Sequence, residues 1–478
     1  MRIRSRLPAA VICACVALAG ASLALPADPV YDAWAWLVWG RELGGAGLDL
    51  NLGPAWKPLA VAITAALALA GDAAPQLWLV LVRVAWLLAL VLAARLAYVL
   101  TAGHAQGERI AAATCAALSL LLALDPETAW LRQGAEGLSE PLLVALVLGA
   151  VLAAIDGRGR LTLVLGGLAA LLRPEIWPLL AVYGFWCWRR ERASRPLLAA
   201  LALAIPALWF GPELLAAGNA LGGAQRAQRG DDGSLQAVFE VAQRALELPL
   251  LAAWPLAVLA AAGRRARVLL AGALCWIAVV ALLAAVGEFA GLARFMVPAA
   301  AVVGVLGAVG LARLLALARA HGQRPLVPVV ALTALLAAVA LQVPPRIEQL
   351  RESAQVTARI GESHERLRAL VRDVGSDALL RCGDLATSDV LVRTALAWDL
   401  DAPLADVVSF GRLPDQSGAF VIGPQAPWAL RLGVARRAVL LGRRGEWLAY
   451  SLDCPATAGW RSPSSGRPRT AGVSGARR

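Results

Sequence analysis

The chain has 478 residues, 59% of them hydrophobic and 16% charged, with a mean hydropathy of +0.65 and a formal net charge of +12. No water-soluble core of this length needs so much apolar sequence, so the composition describes a polytopic membrane protein. The basic excess argues for no nucleic-acid partner, because the arginines stand in short groups between apolar runs (Arg2 to Arg6, Arg189 to Arg195, Arg264 to Arg267), the pattern of cytoplasmic loops.

Residues 8 to 26 form a first apolar helix after MRIRSR, which holds the N-terminus in the cytoplasm. ALPADP also reads as a signal-peptidase site, a reading that the many later spans disfavour. The next stretch, Ala27 to Pro58, holds four of the 17 tryptophans and Lys57, the single lysine among 45 basic residues. Asp28-Pro29 predicts a helix start and Gly44-Gly45 its stop. At helical spacing Asp32, Trp36, Trp39 and Leu43 share a face, which puts a carboxylate on the aromatic side.

Residues 58 to 70 are apolar but short for a crossing and read as a re-entrant or interfacial helix. Segments 76 to 100 and 109 to 124 then cross inward and outward, placing the polar loop Asp125 to Glu140 on the side of Asp32. Residues 141 to 155 return to a cytoplasmic turn at Asp156 to Arg160. The run 161 to 188 is broken by Leu172-Arg173-Pro174-Glu175, where a proline and two charges predict two helices turning at the outer face. Residues 196 to 211 go out, a loop follows, 236 to 246 form an amphipathic surface helix, and 247 to 262 cross inward. Spans 268 to 286, 296 to 318 and 326 to 343 bring the total to about eleven transmembrane helices plus the re-entrant one.

From Pro344 the character changes to a charged helix-period stretch and short alternating apolar runs, a small extracytoplasmic α/β domain over 344–460. The tail 461–478, rich in Ser, Gly, Pro and Arg, reads as disordered. Five cysteines lie in apolar segments as small buried hydrophobes. Cys382 and Cys454 lie in the polar C-terminal region and are the pair for one disulfide if that region faces the oxidising side. The three histidines are scattered, and no metal-ligand cluster stands out.

Ionisable residues at membrane level are functional candidates because each is costly to place there. Asp32, Lys57, Glu140, Arg173, Glu175 and Arg294 all converge on the outer face of this topology. An acid able to act as a base, opposed by several cations, suits transfer from an anionic lipid carrier: the base deprotonates an acceptor hydroxyl and the cations hold the leaving phosphate. Trp34, Trp36, Trp39 and Trp56 read either as flat surfaces for sugar rings or as an aromatic belt. Arg173 and Glu175 read either as site residues or as a pair capping two helices.

The order of these features resembles the GT-C superfamily of integral-membrane glycosyltransferases, which use polyprenyl-phosphate sugars on the extracytoplasmic side. Asp32 matches the acid these enzymes use as catalytic base, and Trp56-Lys57-Pro58 resembles the lysine-proline turn of aminoarabinose transferases that contacts the lipid phosphate. Leu172-Arg173-Pro174-Glu175 stands where that group often has Leu-x-Lys-Gly-Pro, and Gly137-Leu138-Ser139-Glu140-Pro141 is similar to the Gly-x-Ser-Glu signature of membrane mannosyltransferases. The first loop lacks the paired acids of some families, so no cofactor is certain and a divalent cation is not indicated. A second acid would come from Asp125, Glu127, Glu136 or Glu140.

The resemblance implies an inverting glycosyltransferase of the plasma membrane, with a polyprenyl-phosphate sugar as donor and a glycan, lipid or protein as acceptor. Asp32 would be catalytic, Lys57, Arg173 and Arg294 would bind the lipid phosphate, and Glu140, Arg132, Glu175, Trp36, Trp39 and Trp56 would line the substrate site. Two other classes use the same residues differently. A flippase of lipid-linked sugars needs the cations without the base, and a membrane-anchored binding protein does its work through the C-terminal domain alone.

Overall fold

In the computed structural model, the described residues are 9–45, 47–123, 130–227, 235–286, 291–320, 326–381, 383–409, 418–426, 433 and 438–452. Cys382, Cys454, Asp125, Glu127 and the tail 461–478 lie outside them. The chain divides into two compact units, Met1–Gly361 and Glu362–Arg478.

The first unit is helical. Its elements are α1 (Ala9–Ala21), α2 (Tyr31–Leu43), α3 (Pro58–Ala68), α4 (Ala74–Leu100), α5 (Gln106–Leu121), α6 (Trp130–Ala135), α7 (Glu140–Ile155), α8 (Gly159–Ala170) and α9 (Trp177–Arg190). There follow α10 (Arg195–Ala217), α11 (Gly222–Ala227), α12 (Leu235–Glu247), α13 (Ala253–Ala260), α14 (Arg264–Ala285), α15 (Val297–Ala320) and α16 (Leu326–Val374), which runs through Pro344 and Pro345, where the expected span ended, and on past Gly361 into the second unit. Among the described residues four stretches are long and apolar enough to cross a membrane, Gly71–Leu100, Arg192–Ala217, Arg264–Ala285 and Ala293–Ala320. The chain is a multi-helix membrane protein.

Some boundaries depart from the sequence expectation. Helix α2 begins at Tyr31 with Val30 as N-cap in extended backbone and no side-chain cap, so Asp28 does not start it and Asp32 sits in its first turn. Helix α3, by contrast, is short as expected: 11 residues, about 16 Å at the helical rise and roughly half of a hydrocarbon core. The stretch 247 to 262, expected to cross, contains only the eight-residue α13.

Helix α10 runs on past Gly211 to Ala217 with Pro206 and Pro212 inside it. Proline removes the donor that would satisfy the carbonyl four residues back. The Leu208 carbonyl, left free by Pro212, instead accepts the Trp56 indole N–H at 3.0 Å. At the last residue of α8 the Ala170 carbonyl accepts the indoles of Trp177 at 3.1 Å and Trp209 at 2.9 Å.

Two close approaches build the frame around the candidate site. A Cβ on Gly40 of α2 would stand 2.6 Å from the Ala65 backbone nitrogen, so α2 and α3 meet backbone to backbone, and Thr64 Oγ1 donates to the Trp36 carbonyl at 2.6 Å. Helix α15 is the buried axis: Gly304, Gly307 and Gly310 face Ser119, Ala253 and Leu256 at distances that no side chain fits. The segment 134–138 is fixed to α4 by Trp78, which donates to the Gly137 carbonyl at 2.9 Å, and by Arg83, which donates to the Gly134 carbonyl at 3.4 Å. Gly137 has φ +69°, a backbone state that favours glycine, which turns the chain into α7 with Glu140 at its first residue.

Arg346 of α16 donates to the carbonyls of Leu122, Glu247, Leu248 and Pro249, gathering the ends of α5 and α12.

The second unit holds α17 (Ser376–Leu380), α18 (Arg393–Asp399) and the strands β1 (Leu385–Thr387), β2 (Val407–Ser409), β3 (Gly418–Ile422), β4 (Val439–Arg444) and β5 (Trp447–Leu452). The sheet order is β2-β1-β3-β5-β4, with β1 parallel to β2 and β3, and β5 antiparallel to β3 and β4. The β4–β5 hairpin turns on Gly445 at φ +56°. This is the small α/β domain that the alternating runs predict.

Candidate functional site

The candidate site is organised around the Glu140 carboxylate, which is fully buried at the start of α7. An uncompensated anion there would be very costly, so the sequence supplies two cations from two other elements. Lys57, the residue before α3, brings its Nζ to 3.8 Å from Glu140 Oε1 and donates to Ser139 Oγ at 2.7 Å. Arg173, at the turn between α8 and α9, donates to the same Oε1 and lies 3.7 Å from Glu175 Oε1.

A second cation–acid pair stands beside this group. Arg294 NH1 is 3.2 Å from Asp32 Oδ2, and both are more open than the buried set, with side chains 23% and 16% exposed. Phe295 ties the pairs together: the Arg173 guanidinium lies 4.1 Å and that of Arg294 5.6 Å from its ring centre. Lys57 Nζ lies 4.8 Å over the Trp36 ring.

Lys57 lies outside the spanning helices, and its ammonium is pulled down to about 7 by burial and then by the Arg173 charge, against the pull of Glu140 and Asp32. Burial raises the Glu175 carboxyl above the usual range, opposed by Arg173. Glu140 Oε2, Arg173 Nε and Trp36 Nε1 are buried without hydrogen-bond partners, so the cluster presents both donors and an acceptor to a polar ligand.

All six ionisable residues singled out in the sequence meet here. The other expected substrate residues divide. Trp36 is in the cluster, packed edge-on against Trp78 at 5.8 Å. Trp56 packs on Trp39 at 5.8 Å and lines an adjoining cavity. Trp39 is fully buried with its indole on the Asp49 carbonyl at 3.2 Å, which makes it a packing residue. Arg132 pairs with Glu136 at 2.5 Å, and Glu136 also meets Thr357 at 3.4 Å, forming a separate group from Glu140. Among the described residues no three His, Cys, Asp or Glu side chains are grouped to hold a metal ion.

Sequence reasoning missed the cavity, of about 190 Å³, that is lined by Lys57 and Arg173 and walled by Trp56, Trp177, Trp209 and Phe210. Glu213 of α10 lines it as well. The signal was present as Trp-Phe-Gly-Pro-Glu, but a glycine-proline pair marks a helix end in sequence.

The architecture has a counterpart among solved structures. The crystal structure of ArnT from Cupriavidus metallidurans bound to undecaprenyl phosphate superposes with a TM-score of 0.55 at 15% identity, covering 93% of this chain and 97% of that one. The chain has the GT-C fold. The apo structure of the same ArnT aligns over the same shares at 16% identity and a TM-score of 0.49. No protein-family model and no curated protein sequence matches the chain. In this fold the acid–cation cluster is assembled from α2, the turn before α3, the start of α7, the α8–α9 turn and the residues before α15, five places far apart in sequence.

Proposed function

We propose that the protein is an inverting glycosyltransferase that moves a sugar from a polyprenyl-phosphate carrier to a cell-envelope acceptor on the extracytoplasmic face of the plasma membrane. The observation that carries this reading is the pairing of the partly open Asp32–Arg294 couple with the buried Lys57–Glu140–Arg173 group in one site. The GT-C fold, shared with a structure that holds undecaprenyl phosphate, supports the choice of a lipid phosphate as the anion.

In the reaction, an acceptor hydroxyl attacks the anomeric carbon from the face opposite the phosphate. A new carbon–oxygen bond forms while the bond from that carbon to the phosphate oxygen breaks, the electron pair leaves with the lipid phosphate, and Asp32 takes the hydroxyl proton. Lys57, Arg173 and Arg294 hold the phosphate as its charge grows, and Glu140 keeps Lys57 and Arg173 aimed at one point. Arg294 also orients the Asp32 carboxylate, leaving Oδ1 for the acceptor.

Membranes carrying the Asp32→Asn variant, assayed with polyprenyl-phosphate-linked sugars, are expected to lose turnover by a factor of about a hundred or more at unchanged protein level. Near-normal turnover in that variant would sink the assignment.

A further inference from the structure

Glu213 is a buried acid that the proposed chemistry does not use. It is 2% exposed on α10, and its Oε1 accepts from Arg226 NH2 at 2.7 Å. Its Oε2 is buried without a hydrogen-bond partner, and the residue lines the cavity that also receives Lys57 and Arg173. A carboxylate oxygen in such a place is costly unless a ligand donates to it.

The rest of the cavity narrows the ligand. The indole N–H groups of Trp56, Trp177 and Trp209 are all spent on backbone carbonyls, so these residues present apolar ring surface to the cavity. Gly222 and Gly223 bring the chain so close to Glu213 that a Cβ on either would lie 2.9 and 2.6 Å from its oxygens, and this holds the carboxylate in place. Ring surface beside one fixed acceptor suits a sugar, whose C–H faces pack on aromatics while its hydroxyls donate. An isoprenoid chain would leave Oε2 unsatisfied. An ammonium would add a second cation to a carboxylate already neutralised by Arg226, whereas a hydroxyl supplies a strong neutral donor.

The geometry points to Glu213 as a specificity-determining residue that accepts a hydrogen bond from a hydroxyl of the donor sugar, with the sugar seated among Trp56, Trp177 and Trp209 and its phosphate toward Lys57 and Arg173. This assignment rests on the polyprenyl-phosphate reading above.

The test measures binding of undecaprenyl phosphate and of undecaprenyl-phosphate-linked glucose, mannose and arabinofuranose to the full-length protein in nanodiscs. Wild type is expected to bind at least one sugar-bearing lipid more tightly than undecaprenyl phosphate itself. Glu213→Gln should erase that margin, weakening the preferred lipid about tenfold, while its affinity for undecaprenyl phosphate stays within about twofold. A margin kept by Glu213→Gln, equal weakening of both lipids, or no margin in wild type overturns the assignment. Glu213→Asp keeps the charge for Arg226 and covers the case in which the Gln variant does not fold. It too should lose most of the margin, and an undiminished margin in it counts against the assignment. Wild type that binds no undecaprenyl phosphate would strike the parent reading, a result distinguishable from all of these.

Discussion

Helices α15 and α10 have almost the same length, 24 and 23 residues, and both belong to strongly apolar stretches, yet they live in different surroundings. In the apolar window of α15, 94% of the residues are buried inside the protein, against 11% in that of α10. Hydropathy does not separate them, because lipid tails and a protein interior are equally apolar. What separates them is small-residue spacing. Gly307 and Gly310 let neighbouring backbones touch α15 and Gly304 admits the Ser119 side chain, whereas Gly211 of α10 has open space where its Cβ would stand.

Substitutions that ignore this difference should have the largest effects. In Gly310→Leu the first side-chain atom would stand 2.0 Å from the Leu256 carbonyl oxygen, which the backbone cannot yield. We expect loss of folded protein in detergent, by size-exclusion chromatography, while Gly211→Leu elutes as wild type. Leu306→Ala, at a fully buried position of α15, should cost about 3 kcal/mol by leaving a cavity, read as a lowered Tm. Leu203→Ala, 75% exposed on α10, should stay within about 0.5 kcal/mol of wild type. Equal Tm losses at 306 and 203 would break the comparison.

Between these extremes lies Lys57, buried by the same interior but charged. Its proton is bound below about pH 7 and released above it, so affinity for undecaprenyl phosphate should fall as pH rises through that value, by a factor of roughly ten. Lys57→Met should bind weakly at every pH and lose this dependence. Stability moves the other way: between about 7 and the ordinary 10.5 the unfolded chain holds a proton that the folded chain has given up, so this residue's contribution to stability increases with pH across that window.

How far the sequence could be read follows the same division. Charges are rare in apolar sequence, so Asp32, Lys57, Glu140, Arg173, Glu175 and Arg294 stood out one by one, and the structure brings all six together. The tryptophans did not separate in this way. Trp39 and Trp56 look alike in sequence, yet one fills a core and the other walls a cavity, and that choice depends on which helix arrives opposite. Trp177 and Trp209 were hidden among apolar residues, and the sequence places Glu213 in a loop, because Pro212 ends helices unless something takes the carbonyl it frees. Trp56 takes it, from about 150 residues earlier in the chain, and no local window contains that information. The small sheet was legible because short apolar runs bounded by turn residues are a local signal, even where a strand such as β3 is buried throughout.

The contact of Gly40 with Ala65 gives the protein an internal ruler. Because α2 and α3 touch through their backbones there, the offset between the helix bearing Asp32 and the turn bearing Lys57 is set by a residue that belongs to neither group. Alanine or serine at position 40 would act as a shim, separating Asp32 from Lys57 while both side chains stay intact. Graded shims of this kind could measure how much misalignment between the proposed proton acceptor and the proposed leaving-group anchor the proposed transfer tolerates.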